Sequence, residues 1–193
     1  KQTLHLNGLT QLSDAAAESL NKLDDLQLGL TELPDATAAI FSKFKGFHLY
    51  LNGLTQLSDA AAESLSLSKL SGFLGLPGLT ELSDAAAESL SKLVAAYGLN
   101  LRGLTELSDN AAESLSKFKG GEINLHVLTE LSDNAAESLS KFKGEEINLS
   151  GLTQLSDAAA ESLSKFEGEC LYFDPDALPA SAAQILRDAG HGE

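Results

Sequence analysis

The chain has 193 residues, 43 % of them hydrophobic, and its 28 acidic residues outnumber 13 lysines and arginines for a formal net charge of -15. That composition excludes a disordered chain, and no apolar run approaches the roughly 20 residues that a helix needs to cross a bilayer. So large a negative surplus repels phosphate backbones and anionic lipid, which excludes nucleic acid and membrane insertion as expectations and suits a basic or cation-bridged partner.

Self-similarity is the dominant feature of the chain. Eight units begin on an apolar residue at Leu4, Leu26, Leu49, Leu74, Leu99, Ile123, Ile147 and Leu171, 22 to 25 residues apart. Their common pattern is L-x-L-x-G-L-T-x-L-S-D-x-A-A-E-S-L-S-K-F-x-G. In coil 1, Leu4 and Leu6 alternate with polar residues, the period of a strand with one buried side. Asn7-Gly8 predicts a turn in which glycine takes backbone angles closed to other residues. Leu9 and Leu12 then point inward, and Ser13-Asp14 predicts a helix start, with serine as N-cap and aspartate against the positive end of the helix dipole. Residues 15–20 are short and alanine-rich, which suits close packing on the next coil.

Coil 2 drops one residue after its strand, at Leu28-Gly29-Leu30, and carries Pro34 where other coils have serine. Gly46 is expected to stop its helix, as Gly120, Gly144 and Gly168 do later. Coil 3 gains Ser-Leu within "ESLSLSKL", and coil 4 ends in "KLVAAYG"; both additions predict bulges on the convex side. Coils 5 to 7 are the most regular. Coil 8 repeats the shortening of coil 2, carries Pro179 and turns polar, which predicts a C-terminal cap.

No unit of this size buries enough to fold alone. Stacked, Leu6, Leu28, Leu51, Leu76, Leu101, Leu125, Leu149 and Phe173 would form one continuous inner column. The units resemble the leucine-rich repeat family over essentially the whole chain, and their near-identical LTxLSDxAAExL segments are similar to those of large environmental bacterial proteins. The expected fold is therefore an α/β solenoid of about eight coils, with a parallel sheet on one face and short helices on the other. Residues 1–170 form the array and 171–193 a degenerate capping repeat. In one respect the chain departs from the family, which often has asparagine where Leu54, Leu104 or Leu152 stands here. That amide ladder is expected to be missing, with the following threonine taking its place.

Columns of repeated polar residues invite functional readings. The aspartates at 14, 35, 59, 84, 109, 133 and 157 supply one carboxylate per coil, too sparse for a calcium site, and helix starts account for them. Glu18 and Lys22, Glu88 and Lys92, Glu113 and Lys117, Glu137 and Lys141, and Glu161 and Lys165 are spaced as stabilising pairs on a solvated convex face. The threonine column is expected to be a structural hydroxyl ladder. Cys170 is the single cysteine and is expected as a small buried hydrophobe. His5, His48, His126 and His191 lie in different coils or the tail, with no nucleophile and orienting acid repeated around them. No catalysis, cofactor or metal is expected.

Function is expected where residues vary while the frame stays fixed. The outward strand positions form a grid whose central column is His5, Gln27, Tyr50, Gly75, Asn100, Asn124, Asn148 and Tyr172. Beside it lie His48, Phe73, Glu122 and Glu146 on one side and Arg102, His126 and Ser150 on the other. His48, Tyr50 and Phe73 make an aromatic group, which fits either a binding anchor or plain sheet packing. Asn100, Asn124 and Asn148 make an amide ladder that either bonds to itself or meets a ligand. The expected role is a scaffold or interaction module that binds a protein or peptide on the concave sheet through His48, Tyr50, Phe73, Asn100, Arg102, Asn124, His126, Asn148 and Tyr172. The alternative is a structural self-assembling element, stacked head to tail or paired as a homo-oligomer, through the bare N-terminal face at Leu4 and Leu6.

Overall fold

The computed structural model describes residues 2–94 and 97–192. Each coil is a short strand followed by a short helix. The first four are β1 (Thr3–Leu6) and α1 (Asp14–Leu20), β2 (Asp25–Leu28) and α2 (Asp35–Phe41), β3 (His48–Leu51) and α3 (Asp59–Ser66), and β4 (Phe73–Gly75) and α4 (Asp84–Ser91). The others are β5 (Gly98–Asn100) and α5 (Asp109–Leu115), β6 (Glu122–Asn124) and α6 (Asp133–Leu139), β7 (Glu146–Asn148) and α7 (Asp157–Leu163), and β8 (Cys170–Tyr172) and α8 (Ala180–Asp188). The strands form one parallel sheet in the order β1 to β8, and each helix packs on the next. No described helix is long and apolar enough to cross a membrane.

Register follows the repeat. Leu4, Leu26, Leu49, Leu74, Leu99, Ile123, Ile147 and Leu171 pair in one continuous row. From coil 2 onward this row and the inner column from Leu28 to Phe173 are buried, together with two alanines of most helices. Alanine at those helix positions lets helices approach the sheet and each other closely, so each coil covers the apolar face of its neighbour. Leu4, Leu6, Leu9, Leu12, Leu20 and Leu23 of coil 1 are only partly buried against this core. A further spine runs along the return turns, where Phe118, Phe142 and Phe166 stack nearly parallel at 6.3 and 6.4 Å.

Helix starts behave as their chemistry requires. Ser13, Ser58, Ser83, Ser108, Ser132 and Ser156 each accept the backbone N–H three residues on. Pro34 and Pro179 occupy the same place in α2 and α8 without a side-chain cap. The cap serines also tie coils together. Ser58 donates to Asp35 at 2.6 Å, Ser83 to Asp59 and Ser108 to Asp84 at 2.5 Å, Ser132 to Asp109 at 2.5 Å, and Ser156 to Asp133. Each aspartate therefore serves its own helix start and the next coil's cap at once.

Two glycine expectations are corrected. Among the described residues only Gly190 and Gly192 have a left-handed φ, so the turn glycines are not there for handedness. A Cβ on Gly53 or Gly151 would collide with a backbone carbonyl of the preceding coil, at Gly29 and His126 respectively. Close approach of successive coils is what requires glycine. Nor do Gly46, Gly120, Gly144 and Gly168 stop helices, which end several residues earlier at αR caps such as Ser42 and Ser116. A Cβ there would strike the ring of the phenylalanine two residues before, so these glycines make room for Phe44, Phe118, Phe142 and Phe166.

The convex side carries the expected irregularities. Leu67 and Val94 in the lengthened coils 3 and 4 stand out at 65 % and 78 % exposure, while Leu49 and Leu74 stay paired beneath them. Glu88–Lys92, Glu113–Lys117 and Glu137–Lys141 pair at 2.8–2.9 Å, and Lys143 reaches Glu167 of the next coil at 2.8 Å. Among the described residues, no ion pair joins Glu18 to Lys22 or Glu161 to Lys165. The threonines form the ladder anticipated for them. Thr31 donates its hydroxyl to the Thr10 carbonyl, Thr80 to Thr55, Thr105 to Thr80 and Thr153 to Thr129, at 3.3–3.4 Å.

Candidate functional site

The sheet places the whole variable grid on one face. His5, Gln27, Tyr50, Gly75, Asn100, Asn124, Asn148 and Tyr172 are in register across the eight strands. The flanking row Phe73, Gly98, Glu122, Glu146 and Cys170 is in register as well. Alternation along each strand sends the leucines inward and these positions outward. Most of them are half-buried by their neighbours, while Arg102, His126 and Tyr172 are exposed.

Aromatic rings gather over coils 3 to 5. The His48 ring centre lies 5.9 Å from that of Tyr50 and 5.6 Å from that of Phe73, and Phe73 lies 5.0 Å from Tyr97. Glycines set their posture. A Cβ on Gly75 would come within 2.0 Å of the Tyr50 ring, and one on Gly98 within 2.8 Å of the Phe73 ring. Each ring thus lies along the sheet over the bare backbone of the next coil. The His48 side chain does more than pack. Its Nδ1 accepts the Phe73 backbone N–H at 2.9 Å, where in later coils the matching N–H bonds a carbonyl, as Glu122 does to Tyr97 and Glu146 to Gly121. That bond requires Nδ1 to be unprotonated, and no sequence pattern announces it.

The three asparagines do not bond one another, which corrects the self-stacking expectation. Asn100 Oδ1 accepts the Arg102 N–H at 3.2 Å, Asn124 the His126 N–H at 3.2 Å, and Asn148 both the N–H and hydroxyl of Ser150 at 3.0 and 2.7 Å. Each carbonyl oxygen closes its own turn. The amide N–H groups have no partner among the described residues, so they remain donors on the concave face. Asn7 and Asn52 do bond across coils, at 2.8 Å, spanning the shortened coil 2.

Glu122 and Glu146 face outward on adjacent strands, and neither forms an ion pair among the described residues. Burial and then the charge of Glu146 raise the pKa of Glu122. Tyr50 is raised too, by burial first and Glu122 second, with Arg102 opposing. Cys170 is half-exposed in this same row, so the expectation of a buried hydrophobe is corrected: its position alternates outward from Leu171. The Tyr172 phenol has its pKa raised first by the hydrogen-bonding Cys170 side chain and then by Glu146. Among the described residues, no three His, Cys, Asp or Glu side chains gather in a group that could hold a metal ion.

The face therefore offers flat rings, free amide donors, two carboxylates and an exposed guanidinium, spread over a shallow sheet instead of a deep cleft. Leu4 and Leu6 lie at the other candidate place, on the outer strand β1, half-buried. A scan against protein-family models finds no match for this chain. A search of the curated proteins finds none either.

Proposed function

We propose that this chain is a leucine-rich repeat interaction module, without catalysis of its own, that binds a protein or peptide across its concave sheet. One observation carries the reading: the inward row stays Leu or Ile in every coil, whereas the central outward row runs from His5 and Gln27 through Tyr50 and Gly75 to Tyr172 and repeats only as Asn100, Asn124 and Asn148. A purely structural sheet has no need of that contrast. Rings that lie flat on glycines lose little conformational freedom on binding, which makes Tyr50 and Phe73 good anchors. Asn100, Asn124, Asn148, Arg102, His126 and Tyr172 surround them with polar groups that set register. The test is partner capture by Tyr50→Ala/Phe73→Ala beside Glu113→Ala/Lys117→Ala. Loss in the first, with circular dichroism and melting nearly unchanged, and retention in the second supports the concave site; equal losses overturn it.

A second reading is favoured by the partly buried leucines of coil 1, which leave apolar surface beside β1, the outer strand of the described sheet. Under it, chains associate through Leu4 and Leu6. Sedimentation over a concentration series separates the two, because Leu6→Glu lowers the mass only if that face is an interface.

A further inference from the structure

We infer that the occupant of the concave sheet is an extended basic segment of a partner protein, carrying two cationic side chains four residues apart. One lies over the rings of Tyr50 and Phe73, and the other between Glu122 and Glu146. This inference rests on the concave-sheet reading above and adds the chemistry of the partner.

Both ends of the track call for positive charge. The outward faces of Tyr50 and Phe73 carry the negative side of the ring quadrupole, to which ammonium and guanidinium groups are attracted. Glu122 and Glu146 stand on neighbouring strands, roughly 4.8 Å apart, with no cationic side chain paired to either among the described residues. Half-burial and mutual repulsion make that pair costly when empty, and a single cationic head placed between the carboxylates answers both. Between the two ends lies Gly98, whose bare backbone lets the Phe73 ring lean toward Glu122, so no side chain of coil 5 rises between the rings and the first carboxylate. Arg102 and His126 lie beyond the ends of β5 and β6, past Asn100 and Asn124, off the row Phe73, Gly98 and Glu122; Arg102 acts on the Tyr50 hydroxyl, so the first cation lies toward the Phe73 side of the rings. The net charge of -15 draws such a segment in from a distance.

Spacing decides which residues of the partner are read. From the middle of coils 3 and 4 to the middle of coils 6 and 7 is three strand spacings, about 14 Å, and the lean of each ring toward the next coil shortens it slightly. An extended chain covers about 13 Å in four residues, and residues four apart point to the same side. Three or five residues would aim the second cation away from the sheet.

The experiment measures fluorescence anisotropy with labelled nine-residue Ser/Thr peptides. One carries Arg at positions 3 and 7, its isomer carries Arg at 3 and 6, and a neutral peptide carries Tyr at 3 and 7. The expected result is that the first binds about tenfold more tightly than its isomer, and that Glu122→Gln/Glu146→Gln removes this advantage. Glu113→Gln/Glu137→Gln, which changes net charge equally on the convex side, leaves it in place. Equal binding of the two isomers, or equal loss from both glutamine pairs, overturns the inference, because it reduces the effect to general attraction by an acidic body. If the neutral peptide binds as well as the arginine one and is lost in Tyr50→Ala/Phe73→Ala, the basic occupant falls while the concave site stands. If none of the three peptides binds to the folded protein, the inference falls outright, and the capture test of the concave site then decides the broader reading separately.

Discussion

A methyl group added at Gly151 would collide with the His126 carbonyl, whereas one added at Gly8, beside the outermost described strand, meets nothing within 4 Å. Gly151→Ala is therefore expected to destabilise by about 1–3 kcal/mol. Gly8→Ala should be neutral or mildly stabilising, by up to about 1 kcal/mol. Denaturant melts of the pair check this, and equal losses would return the explanation to backbone handedness. Sequence marked Asn7-Gly8 as a turn but misjudged why the repeat keeps glycine at that place, since contact between coils is invisible in any one unit. Burial was easier to read: Leu125, fully buried, should cost about 2–5 kcal/mol when changed to Ala. Leu125→Asp should prevent folding. Glu122 behaves in the opposite way. Its folded pKa is raised, so any stability it contributes is present below its unfolded value and lost as pH rises through the folded one. Glu122→Gln should accordingly raise the melting temperature at pH 7 and make little difference at low pH. A stabilising change at Glu122 is what the proposed site, held ready for a cation, predicts.

At the scale of the element, the helix start is a joint between coils. Ser13 caps α1 and donates to no aspartate among the described residues, whereas Ser108 caps α5 and also donates to Asp84. Ser13→Ala should cost about 1 kcal/mol for the lost cap. Ser108→Ala should cost more, and equal losses in chemical denaturation would mean that the inter-coil bond contributes nothing. Asp84 and Asp109 have lowered pKa values, held down first by Ser108 and Ser132 and then by Asn110 and Asn134. Lowered carboxylates stabilise the fold above their unfolded pKa, and this is lost as pH falls through the folded values. Melting temperature should hence decline on acidification below the ordinary carboxylate range, less steeply in Asp84→Ala/Asp109→Ala. The serine and aspartate spacing showed the helix starts plainly. It was silent on the bond between them because their partners lie 23 or 24 residues apart. The same limit hid the seating of Tyr50 over Gly75 and the His48 bond to the Phe73 N–H: each joins one coil to the next, and coils 3 and 4 break the repeat there.

For the whole molecule, stability should be a sum over neighbouring coils, because the sheet pairs and helices pack only in sequence order. The chain contains its own means of testing this. Residues 104–120 and 128–144 are identical, so deleting 104–127 removes one coil and rejoins the chain without a foreign seam. Leu99 and Ile147 would become neighbours in the inner row, and Phe142 would keep Phe166 in its stack while losing Phe118. A globular core would be breached by such a cut. A solenoid should instead fold with one interface fewer, so its denaturation slope should fall by about one eighth and its midpoint slightly. The deletion also takes Glu122 from the concave row and draws the ring platform one coil nearer to Glu146. Preference for arginines four residues apart should disappear even though folding survives. Circular dichroism, a urea melt and the peptide anisotropy assay on this single variant separate the frame from the face. Loss of folding would contradict the additive solenoid, whereas a folded variant that still prefers the four-residue spacing would contradict the track from the rings to the carboxylates.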